Sequence, residues 1–148
     1  MNIFFPKEQD DESRTAIVPP VVEKYVELGA KVLIETGAGK SIGVNDKDYT
    51  DAGGIVTKDR FDALSNADII CRLNAPPIKE ISPLKKGCIH ISFFDPFKEK
   101  KLLDAFLKAS VTAISMELVP RITRAQKMDA LSSQASLGGY SAVIEAAS

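Results

Sequence analysis

Asn2-Ile3-Phe4-Phe5-Pro6, then Pro19-Pro20-Val21-Val22-Glu23-Lys24-Tyr25-Val26-Glu27-Leu28-Gly29, then Lys31-Val32-Leu33-Ile34-Glu35-Thr36: these three stretches decide the fold. The first is a short apolar run stopped by proline, which reads as a buried strand. Pro19 and Pro20 suit the first turn of a helix, where a backbone N–H has no partner to lose. Val22, Tyr25, Val26 and Gly29 recur at the i, i+3, i+4, i+7 spacing of one buried helical face, and Gly29 is placed to end that helix. Residues 31–36 read as a second strand. Strand, helix and strand in succession make a right-handed crossover unit, so the two strands are predicted to be parallel.

The pattern continues outward. Asp46 is predicted to cap a short helix reaching Ala52, and Gly53-Gly54 break it. Residues 55–57 read as a weak edge strand. A second short helix is predicted over 59–67, with Phe61 and Leu64 inward. Residues 68–73 and 88–93 read as buried strands, separated by a proline-containing loop with one helical turn. Pro96 is predicted to open a helix with Leu102, Leu103, Phe106 and Leu107 as its apolar stripe, and 111–116 as the last strand. The alternation of short strands and amphipathic helices predicts an α/β fold: a doubly wound, mainly parallel sheet with helices on both faces. In type it is a Rossmann- or flavodoxin-like half-domain without its own dinucleotide fingerprint.

The 148 residues suffice for one domain or part of a larger one. Apolar residues make up 45% and charged residues 26%, which is ordinary for a chain with a packed core. A net charge of −1 gives no drive toward nucleic acid or an anionic membrane. Cys71 and Cys88 sit in strand-like runs and read as buried free thiols in a reducing compartment. His90 lies between strand residues with no second ligand nearby in sequence, so no metal site is expected. No signal peptide is read at the start, and no run approaches the ~18 apolar residues of a membrane span.

Gly37-Ala38-Gly39-Lys40-Ser41 ends like a phosphate-binding P-loop. Position 34 is Ile34 where that motif needs glycine, and Ile-Gly-Val-Asn-Asp makes a poor helix start. Gly37, Gly39 and Gly43 also lack the helix whose N-terminus would face a pyrophosphate. This stretch is read as a surface loop. Arg14, Asn74 and Asp95 follow predicted strands and fall at the edge where doubly wound folds bind ligands. Arg14 is a candidate anion holder there or part of a solvated charged loop; Asp95 is expected to cap a helix.

Residues 120–133, Pro-Arg-Ile-Thr-Arg-Ala-Gln-Lys-Met-Asp-Ala-Leu-Ser-Ser, are too polar for a core element. They offer the guanidinium groups of Arg121 and Arg124, the Gln126 amide, the Asp129 carboxylate and the hydroxyls of Ser132 and Ser133. A turn is expected to bring Arg121 and Asp129 together, either to hold a polar ligand or merely to fix the loop's shape. Gln126, which both donates and accepts, suits a carboxamide.

This stretch, followed by Gly139-Tyr140-Ser141-Ala142-Val143-Ile144-Glu145-Ala146-Ala147, resembles the signature of the alpha subunit of proton-translocating NAD(P) transhydrogenase, in the alanine dehydrogenase/transhydrogenase family. The resemblance extends back through Pro6-Lys7-Glu8, Glu12-Ser13-Arg14 and Leu73-Asn74-Ala75-Pro76. It implies that Arg121, Gln126, Asp129, Ser132 and Ser133 surround the nicotinamide of NAD(H), the first four as the catalytic set. It implies an NADP(H)-binding partner domain that Gln126 faces, a separate proton-translocating membrane component and a homodimer. The location implied is peripheral, on the cytoplasmic side of a bacterial inner membrane or the equivalent organelle membrane. It further implies an N-terminal domain over 1–133 and, over 134–148, the start of a helix leading to a nucleotide-binding domain. On this reading the chain is a fragment or split subunit, inactive alone. Two departures from the alanine dehydrogenase pattern, Asn74 for a lysine and Asp95 for a catalytic histidine, weigh against a fragment of an amino-acid dehydrogenase. The remaining alternative is a non-catalytic assembly or dimerisation module using the small residues after Gln134.

Overall fold

A computed structural model describes residues 1–9 and 12–147, the side chain of Ser133 excepted. The chain divides into two compact units, Met1–Ile114 and Ser115–Ser148. The first carries β1 (Asn2–Phe5), α1 (Pro19–Glu27), β2 (Lys31–Glu35), α2 (Asp46–Asp51), β3 (Ile55–Thr57), α3 (Arg60–Asn66), β4 (Ile69–Cys71), β5 (Ile89–Ser92), α4 (Lys100–Ala109) and β6 (Thr112–Ser115). The strands form a six-stranded parallel sheet in the order β3-β2-β1-β4-β5-β6. Ile3 lies opposite both Val32 and Ile69 in the ladders of β1 with β2 and β4. The order reverses direction between β1 and β4, the switch point of a Rossmann-type sheet.

Period-two alternation along β1 divides the core. Phe4 points into a cluster with Ile70, Ala63 and Leu64 of α3, and Leu102 and Phe106 of α4. Ile3 and Phe5 point the other way, to Val32, Ile34, Val22 of α1 and Tyr49 of α2. The expected helices on both faces are therefore present, and a strand buried on both sides accounts for the unbroken apolar run of Ile3-Phe4-Phe5. Gly54 is required by packing: a Cβ there would lie 2.7 Å from the Ile34 side chain. Gly29, at φ +80, takes the left-handed conformation that ends α1, as expected.

Local details depart from expectation. Asp46 does not cap α2. The carboxylate of Asp48 accepts from the Asn45 amide at 2.7 Å, while Asp46 turns back to the Thr36 hydroxyl (2.5 Å) and the Gly37 amide (2.7 Å). Phe61 is exposed, because Ala63, Leu64 and Ala67 make the buried stripe of α3 and Phe61 lies roughly 100° around the helix from it. Helix α4 begins at Lys100 and not near Pro96, since Asp95, at φ 43, accepts the Lys98 and Glu99 amides in a turn. Leu102 and Phe106 centre its buried face; Leu107, about 100° off, stays exposed.

The sheet's carboxyl edge is tied by a charge network. Glu80, in a 3₁₀ turn at Ile78–Glu80, accepts from Arg72 at 2.8 Å and from Arg60 at 3.0 Å. Arg60 also pairs with Glu35 and donates to the Lys7 carbonyl. The loops after β1 and β2, the start of α3 and the end of β4 are joined in this way. Glu80 and Arg72 are 3% and 4% exposed, so neither charge reaches water.

The second unit holds 3₁₀ turns at Met116–Leu118 and Thr123–Met128 and the helix α5 (Ala130–Ala147). The sequence reading starts that helix at residue 134; it begins four residues earlier, directly after an Asp129 cap. Among the described residues no helix is long and apolar enough to cross a membrane. Cys71 and Cys88 are free thiols, pushed by burial up to about 12 and about 11 respectively.

His90 is 1% exposed, beside the Phe106 ring, and burial, with the Arg72 charge, pushes its pKa down to about 3. The unfolded chain takes up a proton near pH 6.5 that the folded chain refuses, so stability falls as pH drops from about 6.5 toward 3. Urea denaturation should show a loss of about 2 kcal/mol between pH 7 and pH 5, and a clearly flatter profile in His90→Gln. For the network, Glu80→Ala should cost about 3–5 kcal/mol by leaving the buried Arg72 charge without its ion pair. Arg72→Met with Glu80→Leu should recover most of that loss in the same assay.

Candidate functional site

Two regions hold the residues singled out from sequence, one in each unit. In the first unit the chain at the switch point is tied together by a carboxylate. Glu8 is 8% exposed. Its carboxylate accepts from the backbone amides of Leu73 (2.5 Å) and Asn74 (3.2 Å), across the gap between β1 and β4. Beside it lies a cleft of about 400 Å³ lined by Lys7, Glu8, Glu12, Arg14 and residues of the Gly37–Ser41 loop.

Arg14 is engaged within that cleft. Its guanidinium binds Glu12 through two nitrogens, at 2.8 and 2.7 Å, and these bonds hold the Glu12 carboxyl down at about 2. The glycine-rich loop is closed by its own bonds: Gly37 donates to Asp46, Lys40 to the Gly37 carbonyl, and Ile42 to the Gly39 carbonyl. A 3₁₀ turn, Lys40–Ile42, follows in place of a helix. The Gly37, Lys40 and Ile42 amides are thus taken by acceptors within the protein. Asn74 reaches Glu12 at 3.5 Å, and Asp95 pairs with Lys98 at 2.7 Å.

The second unit brings together the polar stretch. Arg121, Ile122, Thr123, Gln126, Asp129 and Ser132 line one cleft of about 250 Å³. The 3₁₀ turn Thr123–Met128 puts Thr123 and Gln126 on one side, since residues three apart eclipse in that geometry. Ala125 packs inward and anchors the turn. Ser133, the fifth residue implied by resemblance, has its side chain outside the described residues.

The expected Arg121–Asp129 pair does not form. Asp129 serves instead as the N-cap of α5: its Oδ1 accepts from the Leu131 and Ser132 amides, both at 3.1 Å, and its Oδ2 from the Ser132 hydroxyl at 2.5 Å. The physical reason is local. A carboxylate directly before a helix meets unpaired N–H groups at no cost in chain closure, whereas Arg121 would have to be brought back over eight residues. The Ser132 hydroxyl and amide, with the charge of nearby Arg121 adding, hold the Asp129 carboxyl below the usual range. It therefore stays ionised at neutral pH and is no proton donor. The cap also sets the start of α5 at Ala130. The pattern Asp129-x-x-Ser132 is an N-terminal helix signal in the sequence itself. Thr123, also in the cleft wall, had no distinguishing signal.

Within the cleft, donors and acceptors are sorted. Arg121 keeps its guanidinium clear of an ion pair with Asp129 and offers donors only. The Ser132 hydroxyl donates its hydrogen bond to Asp129, so its oxygen remains as an acceptor. Gln126 is exposed and supplies both.

The chain is similar to known proteins over nearly its whole length. Residues 4–138 match the family model described as alanine dehydrogenase/PNT, N-terminal domain. NAD(P) transhydrogenase subunit alpha of Cereibacter sphaeroides is 41% identical, over 99% of this chain and 28% of that protein. The crystal structure of transhydrogenase from Sinorhizobium meliloti superposes with a TM-score of 0.90 at 40% identity, covering 99% of this chain and 44% of that one. An alanine dehydrogenase of Methanococcus maripaludis is 33% identical over 80% of this chain and 32% of its own length. The chain thus spans less than half the length of these relatives. By the extent of the family match, it belongs to the alanine dehydrogenase/PNT family, as its N-terminal domain.

Proposed function

We propose that this chain contributes the nicotinamide end of an NAD(H) site in a proton-translocating NAD(P) transhydrogenase. The observation that carries the reading is the single cleft lined by Arg121, Gln126, Asp129 and Ser132. A carboxamide presents one acceptor oxygen and an NH₂ donor; Arg121 and the Ser132 oxygen match them in type. At about 250 Å³ the cleft is smaller than the ~300–1,000 Å³ usual for a whole ligand, so it fits one end of a dinucleotide. The relatives' names support the reading, with transhydrogenase found for the sequence and structural matches that cover 99% of this chain.

The nicotinamide, when bound, supplies the hydride chemistry, and the protein supplies position. Arg121 holds the carboxamide oxygen. Ser132, itself fixed by Asp129, sets the ring's rotation through the NH₂ group. Gln126, exposed at the rim, faces an incoming NADP(H)-carrying partner. The switch-point region in the first unit, tied together by Glu8, plays the part of scaffold. A membrane component that moves protons, a homodimer and a peripheral place on the cytoplasmic side of the membrane belong to the same reading.

The test is single-turnover hydride transfer in the enzyme assembled with its NADP(H) component, alongside NADH binding and a thermal melt. Gln126→Asn shortens the side chain by one methylene and should slow transfer by about 10- to 100-fold, the usual consequence of misplacement by ~1 Å. NADH affinity and Tm should change little. Arg121→Ala should weaken NADH binding by roughly tenfold or more, as expected for a charge-assisted hydrogen bond. Because Asp129 is satisfied by Ser132 and not by Arg121, Tm should hold there too. Transfer at the parent rate in Gln126→Asn, or a Tm loss preceding any kinetic effect in both variants, would overturn the reading.

A further inference from the structure

We propose that the folding of α5 and the assembly of the 121–132 cleft are a single cooperative transition, joined at Asp129. That residue ends one element and begins the next. Its amide donates to the Gln126 carbonyl at 3.4 Å, closing the 3₁₀ turn that carries Thr123 and Gln126 into the cleft wall. Its carboxylate takes the Leu131 and Ser132 amides and the Ser132 hydroxyl, the bonds that cap the first turn of α5. Asp129 and Ser132 thus reach cleft geometry by the same act that nucleates the helix.

The helix is poised to make that coupling matter. All described side chains from Ser132 to Ala147 are exposed, so within this unit α5 leans on its cap and on intrinsic propensity. Propensity is interrupted midway by Gly138 and Gly139, where an added Cβ would meet nothing within 4 Å. Each glycine lowers the local helical equilibrium about fivefold relative to alanine. The two lie nine and ten residues from Asp129 and touch no cleft residue, yet they set how often the cap is made. Whatever steadies α5 at a distance therefore steadies the cleft, and a ligand held by Ser132 steadies α5 in return.

Amide hydrogen exchange followed by NMR on the 148-residue chain tests this without any nucleotide, so the outcome is independent of the cofactor reading. In Gly138→Ala/Gly139→Ala, exchange along α5 should slow by up to about 25-fold. The Ala125 and Asp129 amides, which close the 3₁₀ turn onto Ile122 and Gln126, should slow by the same factor as one unit. Ser132→Ala should speed both sets together. Amides of β4 in the first unit should keep their parent rates in every variant, which guards against a general change in folding. If α5 slows while Ala125 and Asp129 do not, if neither responds to the glycine replacements, or if Ser132→Ala moves one set alone, the two elements are independent and the proposal fails.

Discussion

Everything in the first unit depends on β1 being buried on both faces. Phe4 serves one core, Ile3 and Phe5 the other, and all three are at most 3% exposed. A strand in that position needs a paired strand on each edge and helices above and below, because its backbone groups and both sets of side chains are shut off from water. Parallel pairing to β2 and β4 satisfies the edges. The crossovers that parallel pairing demands supply α1 and α2 for one face, α3 and α4 for the other. The doubly wound architecture is thus the geometric consequence of placing an Ile-Phe-Phe strand at the centre.

The loops obey a different rule, in which carboxylates satisfy backbone amides that the sheet and helices leave over. Asp46 holds Gly37, Glu8 holds Leu73 and Asn74, Asp129 holds Leu131 and Ser132, and Asp48 holds Asn45. Charge-assisted bonds of this kind are stronger than neutral ones and directional, so each pins a loop in one conformation. Two of them lie at places singled out by motif or topology. Asp46 holds the start of the glycine-rich loop, and Glu8 ties the loop after β1 to the chain after β4 at the switch point, beside a cleft of about 400 Å³.

The proposed cofactor cleft lies in the second unit, on a 3₁₀ turn and a helix cap in place of a strand-to-helix turn. Such a site is compact and contiguous in sequence. That contiguity lets residues 120–133, with 139–147, carry much of the family resemblance, matched by a family model over residues 4–138. It also makes the cleft sensitive to local helix stability, which a site spread over a buried sheet edge would not be.

The sequence by itself determined the strand–helix alternation, the parallel sheet and the placing of helices on both its faces. These were legible because hydrophobic period, Pro and Gly placement and local spacing are properties of neighbours along the chain. Tertiary structure alone decided which charges pair. Nothing adjacent to Glu8 signals that it caps Leu73, 65 residues on, and nothing beside Arg72 names Arg60 as the co-partner of Glu80. The strand order, which puts β1 next to β4 and so brings Glu8 to those amides, arises from closing long crossovers over a twisted sheet. Asp129 shows the boundary between the two kinds of information. Its helix-cap pattern was written locally, but a more distant Arg121 competed with it on paper, and only the folded geometry showed that the nearer donors win because ordering them requires no loop to close.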